Sequence, residues 1–149
     1  MKRTILAILI IIWIGTVFYF SNEDATKSTG TSGKVIEKIV EITNKKIDKE
    51  EKQEKIKELQ PIVRKCAHLS IYTVGGILLF LFVNTYQIPL KNKIIYAIII
   101  GTIYAITDEI HQVFVPGRGP GIIDVLIDTA GVTIGTIIAN FLGKIYSTK

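Results

Sequence analysis

The chain has 149 residues, a formal net charge of +5, 48% apolar residues and a mean hydropathy of +0.40. That length is about one domain, and the apolar share is too high for an ordinary water-soluble fold, so composition predicts a small membrane protein. The basic residues form no face interleaved with aromatics, which argues against nucleic-acid binding, and the single cysteine, Cys66, excludes an internal disulfide or a cysteine-based zinc site.

Met1-Lys2-Arg3 precedes an apolar run over residues 4–20, which makes about 25 Å of helix at ~1.5 Å per residue, just enough to cross a bilayer core. No small-residue cleavage site precedes Ser21-Asn22-Glu23-Asp24, so the run reads as an uncleaved first span rather than a signal peptide. Trp13 and Tyr19 suit interfacial anchoring and interior packing equally well.

Residues 21–33 are Ser, Thr, Gly and charge, and read as a loop. Residues 34–60 carry nearly balanced Lys and Glu with a thin apolar stripe at Val35, Ile36, Ile39, Val40, Ile47, Ile56 and Leu59. This spacing predicts an amphipathic helical segment in two pieces, Asp48 and Glu51 being spaced as a capping box for the second. It is read as lying on the extracellular membrane surface, with a partner-binding arm as the alternative.

Pro61 suits the first turn of a new helix, and a second span follows over about residues 62–84, with Gly75-Gly76 at its middle. A short turn containing Pro89, Lys91 and Lys93 leads to a third span over about 94–115. Pro116-Gly117-Arg118-Gly119-Pro120-Gly121 then forces a tight, irregular connection. The fourth span, about 122–143, carries Gly131 and Gly135 at the small-xxx-small spacing of closely packed helices. The expectation is one all-α integral membrane domain over residues 1–149, with four transmembrane helices and the surface segment between the first two.

Of thirteen carboxylates, nine lie between Glu23 and Glu58; the other four are Asp108, Glu109, Asp124 and Asp128. Ionisable groups near a membrane segment persist mainly when paired, hydrated or used. With four spans, Lys2, Arg3, Lys91, Lys93, Lys144 and Lys149 share one side, which the positive-inside rule makes cytoplasmic along with both termini. Arg64, Lys65 and His68 then sit at the outer end of the second span, Asp108, Glu109, His111 and Gln112 at that of the third, and Asp124 and Asp128 at that of the fourth. Arg64 and His68, and again Asp124 and Asp128, are four apart and share a helix face.

Arg64-Lys65-Cys66-Ala67-His68 followed by Tyr72, then the run from Asp108 through Gln112 to Pro116-Gly117-Arg118, then Asp124, Asp128 and Gly131, resembles the VanZ-like family; Phe20-Ser21 after the first span is similar too. The resemblance covers essentially the whole chain. It implies a multi-pass protein of the bacterial cell membrane, in Gram-positive-type bacteria, in a family whose named member contributes to teicoplanin resistance, and it adds Tyr72 to the candidate site. Family members often carry Glu immediately before that Tyr, whereas this chain has Ile71, so a mechanism needing that carboxylate does not carry over.

Several chemistries fit these residues. In an enzyme acting on a lipid or lipid-linked envelope substrate, His111 or His68 is the general base, Glu109 or Asp108 its orienter or the acid, and Arg118, Arg64 and Lys65 the phosphate clamp. Gln112, Asp124, Asp128 and Tyr72 join the clamp as substrate-binding groups. A variant places a divalent cation among His68, Asp108, His111, Asp124 and Asp128; the spacing matches no recognised metal motif, so neither metal nor cofactor is assigned. A binding protein would use the same arginines without a base, for an anionic lipid, a wall precursor or a lipoglycopeptide. The remaining alternative is a salt-bridge network that only ties helix ends together. The sequence does not determine an oligomeric state.

Overall fold

A computed structural model describes residues 1–22, 36, 38, 42, 48–116 and 121–147, with side chains described as far as residue 144. The described residues form four long helices and no strand: α1 (Lys2–Ser21), α2 (Lys49–Val83), α3 (Leu90–Gln112) and α4 (Ile122–Ser147). All four are long and apolar enough to cross a membrane. Much of the outward surface is bare Ile, Leu and Phe, including Ile11 at 67%, Leu126 at 62% and Phe141 at 63% exposure, a covering that water would penalise and lipid does not.

α2 packs most extensively on α4, with α3 against both and α1 across α2 and α3. Glycine sets these approaches. A Cβ at Gly131 would lie 2.6 Å from the Leu69 carbonyl oxygen, and one at Gly135 would overlap that of Thr73. In the other direction, a Cβ at Gly76 would overlap the Val132 carbonyl. The close packing expected at Gly131 and Gly135 is therefore, with Gly76, a mutual backbone contact between α2 and α4, the device that replaces hydrophobic burial when the solvent is lipid. Gly75 lies directly beneath the Trp13 ring.

Trp13 packs inside. It is 5% exposed, its Nε1 donates to the Ile71 carbonyl at 2.9 Å, and its ring meets Tyr72 edge-on and Tyr104 at a tilt, with centroids 5.8 and 5.0 Å away. Tyr104 in turn donates its hydroxyl to the Ile14 carbonyl of α1 at 2.8 Å. Tyr19 is 66% exposed and faces away from the bundle.

Two boundaries differ from expectation. No new helix starts at Pro61, which lies within a continuous α2. The proline removes one backbone donor, but Lys57, whose carbonyl loses that partner, and Pro61 itself are exposed, so water can satisfy the carbonyl at little cost. α2 does begin one residue after Asp48, at the start marked by the Asp48/Glu51 spacing, with Lys52 N donating to Asp48 O at 2.9 Å. The segment expected over residues 34–60 thus divides: residues 49–60 extend α2 behind a non-helical Asp48, residues 36, 38 and 42 are helical, and the rest lie outside the described residues. The second difference is at α3, which starts at Leu90 behind an extended Pro89 and stops at Gln112, where Val113, Phe114 and Val115 close three-residue turns onto Ile110, His111 and Gln112.

About twenty helical residues cross a ~30 Å hydrocarbon core. Counting back from Val83, the far boundary of α2 falls near Arg64, leaving residues 49–60 beyond it. Ser21, Gln112 and Ile122 mark the same end of the bundle on the other three helices. At the opposite end, Arg3 donates to Thr85 Oγ1 at 3.0 Å and Thr85 O at 2.7 Å and stacks 4.3 Å over Tyr86, closing the C-terminus of α2.

Candidate functional site

Helical periodicity builds the site. His68 and Tyr72 follow Arg64 at four-residue steps along α2, Asp108 and Gln112 are four apart on α3, and Asp124 and Asp128 are four apart on α4, so each helix presents one polar column. The glycine contacts bring the α2 and α4 columns face to face, and α3 closes the third side.

At the mouth, Arg64 and Lys65 both bear on Asp124, at 3.8 Å to Oδ2 and 4.0 Å to Oδ1, with side chains about a third or more exposed. These separations are well beyond the ~2.7–2.9 Å of a tight charge-assisted hydrogen bond, so both cations are loosely held. One turn deeper, His68 Nδ1 lies 3.4 Å from Asp128 Oδ1, and Asp128 is 1% exposed. Neither Asp128 oxygen nor His68 Nδ1 has an aligned hydrogen-bond partner among the described residues.

Asp108 is the other buried carboxylate at this depth, 4% exposed. Its Oδ2 accepts from Tyr72 Oη at 3.3 Å and from Gln112 Nε2 at 3.1 Å, and Gln112 Nε2 also lies 3.5 Å from Ser21 Oγ. One hydrogen-bonded chain thus joins α1, α3 and α2. Below it, Tyr72, Trp13 and Tyr104 form an aromatic floor that separates the polar cluster from the apolar half of the bundle.

A cavity of about 10 Å³ lies among Arg64, Lys65, His68, Gln112, Asp124, Ile127 and Asp128, the space of roughly one water molecule. A ligand larger than that meets the cluster at its mouth.

The structure therefore brings together Arg64, Lys65, His68, Tyr72, Asp108, Gln112, Asp124 and Asp128 from three separate spans. Two of the other candidates stand apart. His111 points toward α1 and stacks on Phe18, ring centroids 4.6 Å apart. Glu109 turns to the start of α4, where its Oε1 accepts from the Gly121 N–H at 2.6 Å; it serves as the anchor of that helix N-terminus. Arg118 lies outside the described residues. Sequence reasoning did not place Ser21 in the cluster, though it is 1% exposed and touches Gln112. A lone serine after an apolar run carries no helical partner to reveal its direction, and the Phe20-Ser21 pair was its one signal.

The VanZ/LLP1 family profile matches residues 6–143, which takes in all four helices and every residue of the cluster. The chain belongs to the VanZ/LLP1 family. No curated protein and no solved structure matched it. Family membership, with four helices able to cross a membrane, makes this a VanZ-like multi-pass membrane protein and connects it, at family level, with glycopeptide resistance.

Proposed function

We propose that the protein acts at the bacterial envelope by holding the anionic head of a lipid or lipid-linked wall precursor at the mouth of this cluster, where His68 is placed to exchange a proton with it. The observation that carries this reading is the pairing at the mouth. Arg64 and Lys65 share one carboxylate at 3.8 and 4.0 Å, and both remain partly exposed. Two cations that loosely share one partner can re-pair with a phosphate, for which a guanidinium supplies bidentate geometry.

His68 lies one turn below Arg64 with its Nδ1 3.4 Å from Asp128 Oδ1, a separation that can tighten into the carboxylate–imidazole contact of acid–base work when a ligand binds. The basic residues Lys2, Arg3, Lys91, Lys93 and Lys144 belong to the opposite end, which supports an outward-facing mouth under the positive-inside rule.

Teicoplanin susceptibility of a strain expressing the protein provides the test. Arg64→Ala should abolish any protection while leaving membrane accumulation unchanged. Arg64→Lys should restore it only in part, because a point charge does not reproduce the fork. Full protection by Arg64→Ala would remove the clamp from the reading. A second reading, a purely structural network, draws on the Ser21–Gln112–Asp108–Tyr72 chain; it requires substitutions within that chain, such as Gln112→Ala, to lower membrane accumulation in proportion to the lost protection.

A further inference from the structure

We propose that His68, Asp108 and Asp128 form a binding site for a single divalent cation of the zinc or manganese type. One ligand atom from each of the three, contributed by α2, α3 and α4, lies within 4.8 Å of the others. The proposal rests on the same cluster and deepens the functional reading above by placing a cation beneath the basic mouth; with His68 Nδ1 on the cation, the proton exchanged with the ligand would come from a water on that cation, held in place by His68.

The state of Asp128 is the first argument. Its carboxylate is 1% exposed, with neither oxygen hydrogen-bonded among the described residues, and His68 Nδ1 beside it is unbonded too. A buried carboxylate without donors is costly, and two carboxylates at close range cannot both stay ionised without a positive charge between them. The described cations nearby, Arg64 and Lys65, bear on Asp124 at the mouth rather than on this pair. Among the described residues, then, only His68, when protonated, offers these inner carboxylates a positive charge, at the point where their oxygens and the imidazole converge.

Geometry is the second. With metal–ligand bonds of ~2.1 Å, adjacent ligand atoms of a tetrahedral site lie about 3.4 Å apart. The His68 Nδ1 to Asp128 Oδ1 separation is 3.4 Å. The Asp108 ligand atom lies within 4.8 Å of the other two and must draw closer to complete the set, and Asp108 has outer hydrogen bonds, from Tyr72 and Gln112, of the kind that orient a ligating carboxylate. The adjoining cavity of about 10 Å³ has room for one water on such a cation. One imidazole with two carboxylates suits zinc or manganese better than magnesium or calcium, which prefer all-oxygen sites. The ligands come from three helices, which is why no short sequence motif announces them.

The test uses the full chain, purified in detergent without chelator, and needs neither lipid nor phenotype, so its failure is separate from failure of the Arg64 experiment. Elemental analysis should find one zinc or manganese per chain. After EDTA treatment, titration with Zn²⁺ or Mn²⁺ alone should refill the site and raise the unfolding midpoint. Asp128→Asn and His68→Gln should each weaken binding at least about tenfold, while Cys66→Ser, which removes the exposed thiol, should leave it unchanged. A wild-type protein that takes up neither ion and melts identically with and without EDTA overturns the proposal. So does binding that persists in both ligand variants, which would mark an adventitious surface ion. Should a variant aggregate, the wild-type EDTA and refilling melts decide alone.

Discussion

The phenol of Tyr72 donates to Asp108 Oδ2 at 3.3 Å across the α2–α3 interface, with Tyr72 wholly buried and Asp108 at 4% exposure. The bond joins the polar cluster to the aromatic floor beneath it. Tyr72→Phe keeps the ring contacts with Trp13 and removes only this donor. Interhelical hydrogen bonds in membranes contribute about 0.6 kcal/mol on average and up to ~1.7, so the variant should fold, accumulate normally and unfold with a modest loss within that range. Reversible unfolding in mixed micelles measures it; a wild-type midpoint would show that Gln112 alone satisfies Asp108.

Gly135 and Gly15 make a controlled pair. A Cβ at Gly135 overlaps the Thr73 carbonyl, whereas one at Gly15 meets nothing within 4 Å. Gly135→Ala should cost about 1–3 kcal/mol by overpacking and lower the yield of folded protein. Gly15→Ala should be neutral or slightly stabilising, since alanine favours the helix. Equal midpoints for the two variants would mean that α2 and α4 are not in backbone contact.

Much of this was legible in the sequence, and what was not has particular causes. The four spans followed from apolar length, and the polar columns of α2, α3 and α4 from four-residue spacing. Those two patterns sufficed to place Arg64, His68, Asp108 and Asp124 at one end of the bundle. The direction of His111 was not legible: it lies one turn from Asp108 in sequence, but three residues rotate it toward Phe18, and only the position of α1 decides what it meets. Glu109, adjacent to Asp108, likewise turns to Gly121. Continuity of α2 through Pro61 was hidden because proline signals equally a helix start and a tolerated exposed break.

Trp13 reports on whether α1 belongs to the bundle. Its indole donates to Ile71 O and covers Gly75. Trp13→Phe loses the hydrogen bond, about 0.6–1.7 kcal/mol, together with part of the ring packed over Gly75, and so should cost somewhat more than that, while Trp13→Ala opens the whole space above Gly75 and should cost about 3–5 kcal/mol. Intrinsic tryptophan fluorescence supplies a direct readout: as the protein's one tryptophan, it should emit blue-shifted and shift red on unfolding. Emission typical of an exposed indole in the folded protein would contradict the packing.

The two histidines should separate functionally. His68 contacts Asp128 inside the cluster, and His111 stacks on Phe18 at its margin. In the susceptibility assay, His68→Gln should lose more protection than His111→Gln at equal membrane accumulation. If proton exchange carries the activity, the His68 loss should be about 10²-fold or more in any turnover assay that becomes available. The reverse ranking would move the working group to the α1–α3 seam.

The continuity of α2 bears on how a ligand arrives. Residues 49–60 prolong the helix by roughly 18 Å at ~1.5 Å per residue, a post standing directly beside Arg64 and Lys65. Under the proposed role, a ligand drawn to the two cations would have this charged helix as its immediate neighbour. If the ligand is the lipid-borne anion proposed above, it would arrive by lateral diffusion, and capture should depend on its density per area of bilayer rather than on its concentration in the surrounding water.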